Sequence, residues 1–138
     1  ILDPKKHLIS FSSAGHNHSI VLAHDSNEVR EVKGKGLPLG FGLKGNLFEK
    51  TLSTQHVELM PGDVFIQYTD GIIEAANKKG EFYEMQRFNE ILIKLKDLSA
   101  QEICDGVISD LKAFLRKEAQ QDDISLMVMQ RLVTPDKI

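Results

Sequence analysis

Residues 64–74 read Val64-Phe65-Ile66-Gln67-Tyr68-Thr69-Asp70-Gly71-Ile72-Ile73-Glu74. Four β-favouring residues, Val64, Phe65, Ile66 and Tyr68, stop abruptly at Thr69-Asp70-Gly71, a run that turns the chain. The stretch therefore predicts a buried strand over 64–68, entered from the turn Pro61-Gly62 and left through an acidic turn. Upstream, the pattern stays strand-like. In 8–13, Ile9 and Phe11 alternate with Ser10 and Ser12, which is the period of a half-buried strand. Residues 20–23 and 29–32 flank Asp25-Ser26-Asn27 and predict a hairpin, because Asx side chains bond their own backbone in turns. Strands are also expected over 47–52 and 56–59. Between them, Gly34, Gly36, Gly40, Gly42 and Gly45 surround Pro38, which is too much punctuation for regular structure, so 34–46 reads as a loop or flap.

Downstream of 75 the period changes. Met85, Phe88, Ile91, Leu92 and Leu95 recur at helical spacing and predict a helix over 84–95. Ser99-Ala100-Gln101-Glu102 is a capping box that opens a second helix over 99–115, with Leu98 and Ile103 placed as a hydrophobic staple and Ile103, Val107, Leu111 and Phe114 as its buried stripe. The run 124–129 is apolar at both parities and predicts a final strand covered on both faces, with Met127 and Met129 in the core. Strands, then helices, then a returning strand make an α+β domain with antiparallel sheets.

The 138 residues suit one domain, long enough for a core without disulfide or metal staples. Seventeen Lys and Arg against 20 Asp and Glu give a net charge of -3, which supplies no electrostatic footprint for nucleic acid. No apolar run approaches the length of a membrane span. The single cysteine, Cys104, suits a reducing compartment, and a cytoplasmic location is expected. The start Ile1-Leu2-Asp3-Pro4 lacks an initiator Met and reads as cut from a longer protein.

Two acidic positions fall at strand ends. Asp70 follows the strand over 64–68, and Asp122-Asp123 precedes the one over 124–129. If these strands are antiparallel neighbours, the two ends coincide and carboxylates distant in sequence meet at one rim. Clustered carboxylates persist most easily around a cation, and oxygen donors favour Mg2+ or Mn2+. Asp-Gly is also a common turn dipeptide, and a purely structural turn accounts for the same residues. The Gly-rich stretch lacks the Lys-Ser/Thr ending of a nucleotide loop, since Phe48-Glu49 follows it.

Six blocks occur in order: Ser13-Ala14-Gly15-His16-Asn17, Leu37-Pro38-Leu39-Gly40, Leu59-Met60-Pro61-Gly62-Asp63, Tyr68-Thr69-Asp70-Gly71-Ile72-Ile73-Glu74-Ala75, Gly80-Glu81-Phe82 and Asp122-Asp123-Ile124-Ser125-Leu126. Over about residues 7–132 they resemble the C-terminal part of a bacterial PPM-type (protein phosphatase 2C-like) serine/threonine phosphatase, of the sporulation stage II protein E and RsbU group. The resemblance implies part of an α/β/β/α sandwich. It implies metal ligation by Asp70, by Asp122 and by the Gly71 backbone, with Asp123, Glu74, His16 and Asn17 orienting or lying behind the ligands. Each of the last four also has a bland reading as a turn or loop residue.

The implied activity is hydrolysis of phosphoserine or phosphothreonine on a regulatory protein, using two Mn2+ or Mg2+ ions. The implied substrate is an anti-sigma factor antagonist or a similar phosphoprotein, reached through an upstream sensor or regulatory domain. The family's N-terminal Asp-containing, Gly-rich segment has no match here. The N-terminal part of the catalytic domain is therefore expected to be absent, the 138 residues to be inactive alone, and exposed edges to favour self-association. The alternative is a non-catalytic phosphatase-like module that binds a signalling partner.

Overall fold

The computed structural model describes residues 1–40, 46–116 and 122–133. Two antiparallel sheets stack face to face, and a helical pair covers the outer face of one of them. The first sheet joins β1 (Leu2–Asp3), β2 (Leu8–Ser12) and β5 (Thr54–Glu58) in that order, and the second runs β4 (Val29–Val32), β3 (Ser19–Leu22), β6 (Val64–Tyr68), β7 (Leu126–Gln130). The helices are α1 (Leu47–Thr51), α2 (Asp70–Ile73), α3 (Glu84–Leu95) and α4 (Ala100–Leu115).

Alternation along the second sheet builds two cores at once. Ile20, Leu22, Val64, Ile66 and Tyr68 face the helices and pack with Phe88, Leu92, Ile103, Val107 and Leu111. Val21, Val32 and Phe65 face the first sheet, where they meet Ile9, Val57 and Leu59. All four residues of β3 are buried, as a strand covered on both faces requires. The described residues thus form three layers of the expected sandwich: helices, sheet, sheet.

The helical layer follows the periodicity. Phe88, Leu92 and Val107 are fully buried, Leu111 nearly so, and Phe114 is half-buried. Gly106 in α4 allows close approach of α3, since a Cβ there would lie 2.5 Å from Leu95 Cδ1. The capping box forms: Ser99 Oγ accepts from the Glu102 N–H at 3.3 Å, and the Ser99 N–H donates to Glu102 Oε2 at 2.9 Å. Of the expected staple, Ile103 is buried while Leu98 remains 40% exposed.

Several expectations are corrected. Residues 47–52 do not form a strand but the one-turn helix α1, in which the Lys50 N–H reaches the Asn46 carbonyl. Glu49 in its first turn and Lys50 in its last suit helix ends, and neither sheet places a strand partner beside it. The last strand is not covered on both faces throughout. Leu126 and Val128 pack on the helical core and Met129 on the inter-sheet core, but Met127 is 44% exposed. β7 is an end strand, and Met127 lines a surface depression beside His16 instead of the core. The Gly-rich stretch is explained in part by packing. Cβ atoms at Gly34 and Gly36 would fall 2.3 Å from Ser13 Cβ and 2.0 Å from the Ser13 carbonyl, so its first half is seated against the 13–15 turn. Gly42 and Gly45 lie outside the described residues.

Candidate metal centre

β6 and β7 pair with Tyr68 opposite Leu126. The residues just after β6 and just before β7 therefore share one rim of the sheet. Thr69 fastens them together. Its N–H donates to the Ser125 carbonyl at 3.0 Å, its hydroxyl donates to the Asp123 carbonyl at 2.9 Å, and the same oxygen accepts from the Ser125 N–H at 2.9 Å. Asp70 then opens α2, and Gly71 is buried against the opposing backbone: a Cβ on Gly71 would lie 2.5 Å from the Asp123 carbonyl oxygen and 3.5 Å from that of Asp122. No side chain fits in that space, which gives the Asp-Gly pair a steric cause.

The backbone thus places Asp70, Gly71, Asp122 and Asp123 along one rim. Asp70 is exposed, and among the described residues its carboxylate has no hydrogen bond or ion pair. Asp122 and Asp123 are exposed as well, and Asp122 Oδ1 accepts from the Asp123 N–H at 2.7 Å. His16 reaches the same rim from the β2–β3 loop: it shares a depression of about 180 Å3 with Tyr68, Thr69, Ser125 and Met127. Its Nδ1 lies 3.1 Å from the Asn17 carbonyl, and Asn17 itself is half-buried. Among the described residues Glu74 forms no side-chain hydrogen bond or ion pair with the cluster. It is the exposed C-cap of α2, and its N–H donates to the Asp70 carbonyl. Among the described residues no three His, Cys, Asp or Glu side chains converge as a metal-holding group.

Two of the sequence blocks turn out to hold the scaffold. Asp63 is buried, and its carboxylate accepts from the His24 N–H at 3.0 Å and the Met60 N–H at 2.9 Å. Gly62, at φ +89°, passes so close to His24 that a Cβ would meet its ring. Asn77 organises the 77–81 turn, accepting from Lys79 and Glu81 N–H groups at 2.9 and 3.2 Å. Thr69 was the unrecognised part of the site; the signal for it is a hydroxyl residue directly before Asp-Gly at a strand end, placed to bond the neighbouring strand.

Two stacked antiparallel sheets with a helical pair outside and an acidic rim at the β6–β7 end define the class: the fold is that of PP2C phosphatase domains. It matches the SiaA-PP2C domain of Pseudomonas aeruginosa with a TM-score of 0.76 at 22% identity, over 93% of this chain and 48% of that one. It matches the Mn-presoaked phosphatase domain of SpoIIE from Bacillus subtilis with a TM-score of 0.67 at 22% identity, over 100% of this chain and 57% of that one. The family model of stage II sporulation protein E (SpoIIE) matches residues 1–132, and the chain belongs to that family. Among curated relatives, the phosphoserine phosphatase RsbU of Bacillus subtilis is 27% identical over 128 residues, covering 93% of this chain and 36% of the relative. The chain spans about half the length of the solved domains that it matches and about a third of RsbU.

Proposed function

We propose that the chain carries the β6–β7 half of the metal centre of a protein serine/threonine phosphatase, which hydrolyses phosphoserine or phosphothreonine on a regulatory phosphoprotein. The observation that carries this reading is the close approach of Gly71 to the Asp122–Asp123 backbone, which leaves Asp70 and Asp122 at one rim. Asp70, Gly71 and Asp122 offer oxygen donors only, carboxylate and carbonyl, and Asp70 has no competing partner among the described residues. That set fits Mg2+ or Mn2+, which prefer hard oxygen ligands. Asp70 and Asp122 would hold the ions, with the Gly71 backbone as a further ligand. Two such ions supply a bound water of lowered pKa and neutralise phosphoryl oxygens.

The chain's own residues do the rest. Thr69 fixes the backbone from which Asp70 and Asp122–Asp123 project. Asp123 positions Asp122 through the hydrogen bond between them, and His16 borders the approach to the site. Asn17 and Glu74 act, in this reading, behind these residues. Among the described residues no three ligand side chains converge; in this reading the family's N-terminal Asp-containing segment supplies further ligands, and this chain alone hydrolyses phosphopeptides poorly. An anti-sigma factor antagonist is the proposed substrate, an upstream sensor domain the proposed input, and the cytoplasm the proposed location. No described helix is long and apolar enough to cross a membrane. Among the described residues β1, β4, β5 and β7 are end strands, and such edges would favour pairing with a second copy.

The second reading, a non-catalytic module that binds a signalling partner, draws on that same lack of a third converging group. The two are separated by Mn2+-dependent hydrolysis of a phosphoserine peptide, measured for this chain and for a version extended toward the N-terminus. The phosphatase reading expects activity in the extended protein and little in the short one. An inactive extended protein would select the binding module, and full activity in the short chain would overturn the shared centre.

A further inference from the structure

The turn that follows α2 leads away from the rim into a second, differently charged feature. Asn77 ties this turn together through three hydrogen bonds: the two backbone bonds given above and one from Asn77 Nδ2 to Glu81 Oε2 at 2.8 Å. The turn faces the start of α3 and the end of α4 across an open cleft of about 430 Å3, whose lining includes Lys78, Lys79, Arg87, Asp110, Phe114 and Arg116. Four cationic side chains against two carboxylates, Glu81 and Asp110, is a local positive surplus in a chain whose net charge is -3.

Both carboxylates are already engaged. Glu81 accepts from Asn77, and Asp110 Oδ2 accepts from the Tyr83 hydroxyl at 2.6 Å. Burial, and then this hydrogen bond, push the Tyr83 pKa well above its usual value, so the hydroxyl stays a donor. Lys79, Arg87 and Arg116 are less committed. The Arg87 guanidinium carbon lies 4.9 Å from the Phe114 ring centroid and 5.8 Å from that of Tyr83. Cation–π attraction to the two rings engages the guanidinium while its N–H groups remain able to donate. Among the described residues, neither Lys79, Arg87 nor Arg116 forms an ion pair with a carboxylate.

The cleft lies close to the rim along the chain. The four residues of α2 rise about 6 Å, and the three steps from Glu74 to Asn77 add at most about 10 Å. An extended peptide of about five residues covers that span. The cations come from three separate elements and do not converge on a backbone cradle, an arrangement that suits carboxylates spaced along a polypeptide better than a single compact phosphate.

We propose that this cleft takes an acidic segment of the phosphoprotein substrate, within about five residues of the phosphorylated side chain, and thereby selects substrates whose flanking sequence is rich in Asp and Glu. The proposal rests on the phosphatase reading and adds the substrate class. Exposed charge pairs are individually weak, so the effect is one of selection among substrates and is screened by salt.

The test compares two phosphoserine peptides, identical except for acidic or neutral residues at the flanking positions, as substrates of the full-length protein with Mn2+. The acidic peptide is expected to show a KM lower by about three- to tenfold at low salt, as a few exposed charge pairs allow, with kcat unchanged. The double substitution Lys79→Glu and Arg116→Glu should abolish that difference and leave hydrolysis of the neutral peptide intact, while Lys79→Arg keeps it. Equal KM values for the two peptides, or an acidic preference that survives the double substitution, would overturn the proposal. Fluorescence anisotropy of the unphosphorylated acidic peptide, without metal, reads the cleft independently of catalysis. Binding that is lost on charge reversal while neither peptide is hydrolysed would strike the phosphatase reading and keep the cleft as a site for acidic segments; absence of binding would strike the cleft.

Discussion

The α3–α4 layer and the β6–β7 rim sit at two sides of the same strand and are held by opposite means. The helices are fixed by apolar burial, with Phe88, Leu92, Ile103 and Val107 removed from water altogether, each contributing roughly 1.5–3 kcal/mol. The rim is fixed by three hydrogen bonds through Thr69 and by a glycine with no room for a side chain, and it leaves its carboxylates exposed. Apolar burial is therefore concentrated in the helical layer, and the exposed carboxylates stand at the rim. Asp70 is exposed and its carboxylate has no partner among the described residues, so its removal is expected to cost the fold little.

Substitutions on either side can break this contrast. The largest effect is expected from Asp70→Asn in the full-length protein: Mn2+-dependent phosphopeptide hydrolysis should fall by at least about a hundredfold, since even residues behind metal ligands cost about 10–100-fold. Its thermal midpoint without metal should stay unchanged. A large fall in that midpoint would make Asp70 a structural residue. Next comes Phe88→Ala in the helical layer, expected to destabilise by about 3–5 kcal/mol in urea unfolding; a loss below about 1 kcal/mol would mean that the helices do not carry the fold.

Gly71→Ala joins the two regions, because its Cβ must displace the Asp123 carbonyl. It should cost about 1–3 kcal/mol of stability and most of the activity together, whereas unchanged urea midpoints would contradict the close approach. The smallest effect is a pH dependence at the α4 start. Hydrogen bonds from the Ser99 side chain and then its backbone hold the Glu102 pKa below its usual value. A lowered folded-state pKa means that the stabilisation is present above the unfolded pKa and is lost as pH falls through the folded one. The thermal-midpoint gap between the native protein and Ser99→Ala should accordingly narrow below about pH 4.5, and a gap that widens there would reverse the assignment.

The two regions also differ in how far they can be read from sequence. The helical layer is legible because burial imposes a period: Phe88 and Leu92, then Ile103, Val107 and Leu111, recur at helical spacing, and Ser99 with Glu102 marks the start. The rim is legible only through the Thr-Asp-Gly and Asp-Asp pairs and the resemblance they carry, since a turn uses the same residues. Elements fixed by tertiary pairing alone escape such a reading. β1 is two residues long and exists through Leu2 opposite Ile9 and Asp3 opposite Leu8. α2 is a single turn whose N-cap Thr69 makes no side-chain cap and spends its hydroxyl on the neighbouring strand. Leu47-Phe48-Glu49-Lys50-Thr51-Leu52 fits either period, and the structure decides for helix. Met127 is apolar in sequence yet exposed, because period says which residues share a face and not whether anything covers that face.

The most direct test of the central claim, that Asp70 and Asp122 hold a divalent cation at this rim, is Mn2+ binding by the full-length protein, followed by the loss of the free-ion electron paramagnetic resonance signal. The native protein is predicted to take up Mn2+, and Asp70→Asn and Asp122→Asn are each predicted to weaken that uptake by at least tenfold while the thermal midpoint without metal stays unchanged, an outcome that about 1.4 kcal/mol of lost binding free energy would produce. Undiminished Mn2+ uptake in both variants would contradict the assignment of the metal centre to this rim.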